Sequence, residues 1–338
     1  MMRIKLVGRS GLRSSEIALG AMTFGDKRDW GTPPDEAEAI LAAYVEHGGT
    51  TIDTAPNYAS GASEEIVGRF ARSRRDELVI STKYTGSTSS HPLAGGNSRR
   101  AMVQSVEASL RRLDTDRIDL LWLHFWDFTT PLDEVLRAAD DLVRAGKILY
   151  FGLSDTPAWL ASRAVTMAEL TRSAPVVALQ LEYNAASRDV EQDFLPMAKA
   201  CDLGVFCWGP LAAGALAAGS APQRRPASAI PAEVAEAAIR LQAIAGDLGR
   251  STGSVALRWI MQSGLASCFP IIGARSGQQL SQMLGDIADP LDDATMQGIN
   301  GIAASAPTFP NRLIQSSYLR KFAFGDASRF NLPVNPRN

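Results

Sequence analysis

Cysteine is scarce in this 338-residue chain. The three present, Cys201, Cys207 and Cys268, form no CxxC pair and have no histidine at metal-ligand spacing. That excludes a disulfide framework and a structural zinc site. Cys201 and Cys268 fall in apolar helix or strand patterns and read as small buried hydrophobes in a reducing compartment, while Cys207 adjoins a strand end. Charge of one sign is lacking as well. The 34 Lys and Arg residues nearly balance 36 Asp and Glu, for a formal net charge of -2, and the signs are mixed along the chain. Nothing there points to nucleic acid or an anionic membrane as partner. Long hydrophobic runs are absent too: the longest is broken by Asp119, His124 and Asp127, far short of a membrane span. The basic start MMRIKLVGRSGLRSSE lacks the apolar stretch of a secretory signal, so the expectation is a cytoplasmic chain. No GxGxxG follows the first strand, which argues against a Rossmann domain.

What is present is a regular alternation. Arg3 to Val7 and Leu12 to Ile17 flank turn residues and predict a hairpin within residues 1–17. Eight apolar runs then alternate with amphipathic stretches. The runs are Ile17 to Gly20, Thr50 to Asp53, Leu78 to Lys83, Ile118 to His124, Ile148 to Ser154, Val176 to Leu181, Val205 to Trp208 and Ser267 to Ile272. The matching helices are Asp35 to His47, Ser63 to Arg74, Ser98 to Leu113, Leu132 to Arg144, Ala158 to Leu170, Val190 to Ala200, Ala232 to Leu248 and Gln278 to Ile287, with an extra one at Ser254 to Gln262. Continuous apolar strands joined by crossover helices imply a parallel sheet covered on both faces, and eight such units point to an α/β fold, a closed (β/α)8 TIM barrel. The expectation is one domain over 1–338. A long Ala-, Gly- and Pro-rich loop occupies 211–231, and 305–338 forms an irregular tail, rich in aromatics and arginine, with extra helices or loops.

In such a barrel the residues that end the strands share one face, where active sites are built. Here they include Asp53, with Tyr58 in the loop beyond it, then Lys83, His124, Ser154-Asp155, Gln180, Trp208 and Arg275. Lysine is scarce in this chain, so a lysine ending an apolar strand is informative; buried, it needs a carboxylate, and Asp53 on the adjacent strand can supply one. A cation beside a phenol lowers the phenol's pKa and makes it a better acid. His124 can donate to a carbonyl oxygen, so the four could polarise a carbonyl and protonate the forming oxyanion. Each also has a structural reading: a turn aspartate, a packing tyrosine, a satisfied core histidine, an ordinary ion pair.

The segment Gly49-Thr-Thr-Ile-Asp53-Thr-Ala-Pro-Asn-Tyr58 with Ser63-Glu64-Glu65, the strands Ile80-Ser-Thr-Lys83 and Asp119-Leu-Leu-Trp-Leu-His124, and Gly152-Leu-Ser154-Asp155 together resemble the aldo-keto reductase superfamily, in particular bacterial reductases related to potassium-channel beta subunits. The resemblance implies that Asp53, Tyr58, Lys83 and His124 are catalytic, with Tyr58 as proton donor and no metal. It also implies a cofactor lying across the strand ends, held by Ala21, Met22, Asp53, Ser154, Asp155, Gln180, Trp208, Gly209, Pro210, Leu211, Ala212, Gly273, Arg275 and Gln279. Asp155 stands where the family has asparagine, Gly209 where serine is usual, and Gln282-Met283 where Glu-Asn is common. A helix N-terminus with Arg275 suits an adenosine 2'-phosphate, which favours NADPH and leaves NADH open.

Phe24, Trp30, Phe125, Trp126 and Phe128, in loops on the same face, are expected to line a pocket for an aromatic or apolar carbonyl substrate. The tail leaves a lid or a homo-oligomer contact open. Three other functions fit parts of the pattern: a nucleotide-deoxysugar reductase, a cofactor-sensing binding protein with little turnover, and a lyase using Lys83 as a Schiff-base nucleophile.

Overall fold

The computed structural model describes residues 1–26, 30–217, 230–285, 287–303, 306–314 and 316–325. An antiparallel hairpin of β1 (Ile4–Leu6) and β2 (Arg13–Ser15) comes first, with Ile4 opposite Ser15. Eight parallel strands follow: β3 (Ala18–Gly20), β4 (Thr51–Asp53), β5 (Val79–Tyr84), β6 (Ile118–Leu123), β7 (Ile148–Ser154), β8 (Val176–Glu182), β9 (Gly204–Trp208) and β10 (Ser267–Ile272). They pair in chain order, and β10 closes the ring by pairing with both β9 and β3. Around them run α1 (Pro34–Glu46), α2 (Ala62–Ala71), α3 (Arg99–Leu113), α4 (Leu132–Arg144), α5 (Ala158–Thr171), α6 (Phe194–Ala200), α7 (Ala232–Asp247), α8 (Thr252–Gln262) and α9 (Gly277–Gly285). The (β/α)8 TIM barrel and the hairpin expected from the sequence are both present.

Closure follows from strand composition. All six residues of β6, Ile-Asp-Leu-Leu-Trp-Leu, are buried, so both faces must be covered, one by the barrel interior and one by the helices. The interior cluster contains Ala18, Leu120, Trp122, Phe206, Phe269 and Ile271; Phe206 stacks on Phe269 at 4.8 Å, and Trp122 meets Phe206 edge-on at 5.3 Å. Alternate strand residues such as Ile52, Ile80, Leu121 and Val205 face outward against helix residues. Helix α4 illustrates the matching stripe. Leu132, Val135, Leu136, Ala139 and Leu142 recur at helical spacing and are buried, each large side chain contributing about 1.5–3 kcal/mol. The helix stops at Gly146, whose φ of 69° lets Lys147 N–H reach back to Leu142 O at 3.0 Å.

The hairpin covers the N-terminal mouth of the barrel. Val7 and Leu12 join the interior cluster, Arg9 N–H donates to Asp202 O at 2.8 Å, and Lys5 Nζ donates to Cys268 O at 3.1 Å while sitting 4.5 Å over the Phe269 ring. Cys207 and Cys268 are buried and Cys201 is half-buried, all as free thiols.

The structure departs from the sequence pattern in three places. Regular helix in α6 begins at Phe194 rather than Val190, with a short 3-10 turn at Asp189–Glu191 before it. Pro196 has no N–H and is tolerated only in a first turn, so the helix cannot run four residues further back. Helix α10 (Asp293–Asn300) was not expected; it buries Ile299 and is capped by Asp292, which accepts from Thr295 N–H at 2.8 Å. The tail, expected to carry extra helices or loops, contains α11 (Asn311–Ile314) and α12 (Ser317–Phe324) among its described residues. Of the loop expected at 211–231, Ala212–Ala217 forms a 3-10 segment and 218–229 lie outside the described residues.

Gly152 on β7 pairs with Trp122 on β6. A Cβ there would come within 2.4 Å of the Trp122 ring and 3.0 Å of Ala178 O. Gly152→Ala is therefore expected to lower unfolding free energy by about 1–3 kcal/mol through overpacking; a urea midpoint unchanged from wild type would contradict this account of the barrel interior.

Candidate active site

Period-two geometry brings the chemistry inward. On β5, Ser81 and Lys83 are two residues apart and so share a face, and both reach the carboxylate that ends β4. Lys83 Nζ donates to Asp53 Oδ2 at 2.5 Å and to Thr54 O at 2.8 Å. Ser81 Oγ donates to Asp53 Oδ1 at 2.7 Å, and Gln180 Nε2 to the same oxygen at 3.1 Å. Lys83 is fully buried. Burial opposes its charge, but Asp53 and then Tyr58 outweigh that and raise its pKa above the usual lysine value.

Tyr58 stands over this pair, with Lys83 Nζ 4.7 Å from its ring centroid. The His124 ring lies 6.4 Å from the Tyr58 ring and nearly perpendicular to it. Burial, reinforced by the Lys83 charge, lowers His124 to about 3. It is therefore a neutral imidazole near pH 7, able to donate from one nitrogen only. The chain leaves Tyr58 through strained backbone, because Ala59 and Ser60 beyond it have φ of 47° and 56°. Thr85, Phe128, Asp155, Ala212 and Ala213, in loops at the same barrel end, also have positive φ. Asp114, Arg172 and Asp202, the other non-glycine cases among the described residues, follow helix ends. Strain thus collects around the open mouth, as it does at functional sites.

That mouth holds a cavity of about 470 Å³ lined by Met22, Asp53, Tyr58, His124, Ser154, Asp155, Gln180, Trp208, Gly209, Pro210, Leu211, Gly273, Arg275 and Gln279, all singled out from sequence. Ala21 and Ala212 do not line it: Ala21 is fully buried and acts through its backbone, donating to Asp53 O at 2.8 Å and accepting from Ser63 Oγ at 2.7 Å. Of the expected pocket aromatics, Phe24 is 1% exposed and belongs to the core. Trp126 packs partly against that core, and neither it nor half-buried Trp30 reaches the cavity. Phe125 also lies outside the lining, but it is exposed, with its ring 5.7 Å from His124. Sequence reasoning missed Asn57, Thr23, Ala213 and Gly214 in the wall, as well as Ser81 beneath it. Ser81 could have been found from its two-residue offset to Lys83.

The wall after β7 to β9 is polar and organised. Ser154 Oγ is buried with no hydrogen-bond partner, a group left over for a ligand. Asp155 N–H donates to Gln180 O at 3.2 Å, its carbonyl accepts from Trp126 N–H at 3.4 Å, and its carboxylate accepts from Trp208 Nε1 at 3.1 Å. Burial raises the Asp155 carboxyl above its ordinary value, with the Trp208 hydrogen bond and then the Lys83 charge opposing, although the residue keeps an exposed face toward the mouth. At the other end, Arg275 N–H donates to Gln279 Oε1 at 2.8 Å and Ser276 Oγ caps α9 by accepting from Gln279 N–H at 3.1 Å. The Arg275 side chain enters no ion pair among the described residues. No group of three His, Cys, Asp or Glu side chains among those residues could hold a metal ion.

The model of the Aldo/keto reductase family matches residues 16–304. The chain is 34% identical to the NADP(+) aryl-alcohol dehydrogenase of Phanerodontia chrysosporium, over 95% of this chain and 88% of the relative. It is 32% identical to norsolorinic acid reductase B of Dothistroma septosporum, over 93% and 84%. With norsolorinic acid reductase B of Aspergillus parasiticus the identity is 34%, over 90% and 85%.

The neutrality of His124 has a measurable consequence for stability. Folded, it stays uncharged down to about pH 3; unfolded, it takes a proton near its ordinary 6.5. The unfolded state therefore binds more protons below 6.5, and stability falls as pH drops. Relative to His124→Gln, wild type is expected to lose about 1–2 kcal/mol of unfolding free energy between pH 7 and pH 5, read by urea denaturation at both pH values. Parallel losses in the two proteins would mean that His124 is not held neutral.

Proposed function

The chain belongs to the aldo/keto reductase family, and we propose that this oxidoreductase reduces aromatic aldehydes or ketones with NADPH, using Tyr58 as the proton donor. The observation that carries the reading is the stack at the cavity floor: Lys83 Nζ, fully buried and 2.5 Å from Asp53, lies 4.7 Å from the centre of the Tyr58 ring.

In this reading Asp53, itself held by Ser81 and Gln180, keeps Lys83 charged and fixed. The charged Lys83 stabilises phenolate over phenol, so Tyr58 gives up its proton more readily to an oxyanion forming in the cavity. Neutral His124 donates a hydrogen bond to the same oxygen and adds no second positive charge, which leaves Tyr58 as the acid. The bound nicotinamide would supply the hydride that the carbonyl carbon accepts. Orphaned Ser154 Oγ, with Gln180 and Asp155, would hold its amide end, while Arg275 beside the N-terminus of α9 suits the phosphate end. An unpaired arginine there favours NADPH over NADH, and a relative bearing NADP(+) in its name is consistent with it.

The aromatic substrate class rests on exposed Phe125 beside His124 and on relatives named for aryl alcohols and norsolorinic acid. These favour an aromatic carbonyl over a nucleotide sugar. The lyase reading fails on charge, because a Schiff-base lysine must be a neutral amine whereas Lys83 is held charged by Asp53 and Tyr58. Buried free thiols at Cys207 and Cys268 suit a cytoplasmic location. No helix among the described residues is long and apolar enough to cross a membrane.

Tyr58→Phe is expected to lower kcat for NADPH oxidation with 4-nitrobenzaldehyde by at least about 100-fold while leaving NADPH affinity within about twofold, since the phenol donates a proton but does not hold the nucleotide. Near-wild-type turnover would refute the role of Tyr58. NADPH bound tightly by wild type without turnover across a panel of aryl carbonyls would favour a cofactor-sensing protein. Lys83→Met should abolish turnover and also cost about 3–5 kcal/mol of stability, because it leaves a buried carboxylate uncompensated; a thermal or urea melt reports the second effect.

A further inference from the structure

The redox end of the cavity is not electrically neutral. Lys83 and Asp53 form one ion pair and His124 is uncharged, so these three sum to zero. Asp155 is left over. Its carboxylate lines the same cavity as Tyr58 and His124, accepts from the neutral indole N–H of Trp208 at 3.1 Å, and enters no ion pair among the described residues. The position is also built. Asp155 has φ of 39°, a left-handed conformation that Asp and Asn adopt most readily among non-glycine residues. Its backbone is clamped on both sides, to Gln180 on β8 and to Trp126 in the loop that carries His124.

We propose that Asp155 sets the oxidation-state preference of the bound nucleotide, its negative charge favouring the oxidised, cationic nicotinamide over the reduced, neutral ring. The inference rests on the NADPH reading above. Reduced and oxidised nucleotides differ by one positive charge, located on the ring that must come within reach of Tyr58. A fixed carboxylate on that wall attracts this charge, and the attraction between unit charges acts over several ångströms. The phosphates and adenosine are common to both forms, so Arg275 and the α9 terminus bind both equally and cannot discriminate. By linkage, tighter binding of the oxidised form lowers the potential of the bound couple by the same free energy, which makes the site a better reductant of carbonyls when charged with NADPH and a slower releaser of NADP+.

The test is calorimetric titration of wild type and Asp155→Asn with NADP+ and with NADPH at neutral pH. Asparagine keeps the size, tolerates the left-handed backbone and can still accept from Trp208, so the substitution removes little but charge. The expected result is that the ratio of the NADPH Kd to the NADP+ Kd falls by about tenfold or more in Asp155→Asn, equivalent to about 30 mV per tenfold for a two-electron couple. If both proteins bind both nucleotides with the same ratio, the proposal is overturned and the cofactor assignment stands. If wild type binds neither nucleotide, the cofactor assignment itself falls, and this proposal with it.

Discussion

The arrangement at the open mouth depends on one buried ion pair, Lys83 with Asp53. A lysine ammonium removed from water costs several kcal/mol, and the structure offsets that cost only by assembling acceptors from separate parts of the chain: the Asp53 carboxylate and the Thr54 carbonyl after β4. Asp53 is in turn satisfied by Ser81 from β5 and Gln180 from β8. Three strands, two adjacent and one across the barrel, thus meet at one carboxylate. An open sheet would leave the Gln180 contact unmade. Closure of the barrel is what lets a charge sit there, and in the proposed mechanism that charge is what tunes the tyrosine above it.

The two ends of the barrel are treated differently for a physical reason. At the N-terminal end the hairpin supplies Val7 and Leu12 to the interior cluster and covers the mouth; at the C-terminal end the loops are held open, several of them through left-handed residues such as Ala59, Ser60 and Asp155. Loops of that kind are costly where nothing over-determines them. Here they are over-determined. Asn97, for example, is fully buried and donates to Thr85 Oγ1 at 2.8 Å and to Phe125 O at 3.1 Å, while its Oδ1 accepts from Asp127 N–H at 2.7 Å, tying the loop after β6 to the loop after β5. Glu64, also fully buried, takes Thr82 and Arg112 at 2.6 Å each and fixes α2 and α3 against β5. The wall of the cavity is supported by side chains hydrogen-bonded outside it.

Charge is distributed unevenly along the cavity, as the proposed nucleotide would require. The deep end carries a neutralised pair, a neutral imidazole and one carboxylate; the shallow end carries Arg275 and the start of α9. Such a gradient orients a ligand that is anionic at one end and cationic or neutral at the other, before any shape complementarity acts.

By itself the sequence determined the barrel and most of its elements. Continuous apolar strands such as Ile118–Leu123 cannot be satisfied with one face in water, and amphipathic stripes such as Leu132 to Leu142 need a sheet beneath them; hence Leu132–Arg144, Ile148–Ser154 and Ser267–Ile272 fall where periodicity placed them. It also determined that Asp53, Lys83 and His124 lie within one residue of the ends of neighbouring strands, because strand-end position is a local property. What the tertiary structure decided were the facts that depend on where a side chain points after closure. Phe24, legible as a loop aromatic, turned into the core; Ala21 contributes backbone instead of wall; Ser81, an ordinary strand serine, became the support of Asp53. Helix α10 lay below the threshold of pattern, since so short a helix buries too little to write a stripe. Periodicity specifies which residues are buried together along one element. Which residues of distant elements converge on one carboxylate is fixed only when the eighth strand pairs with the first.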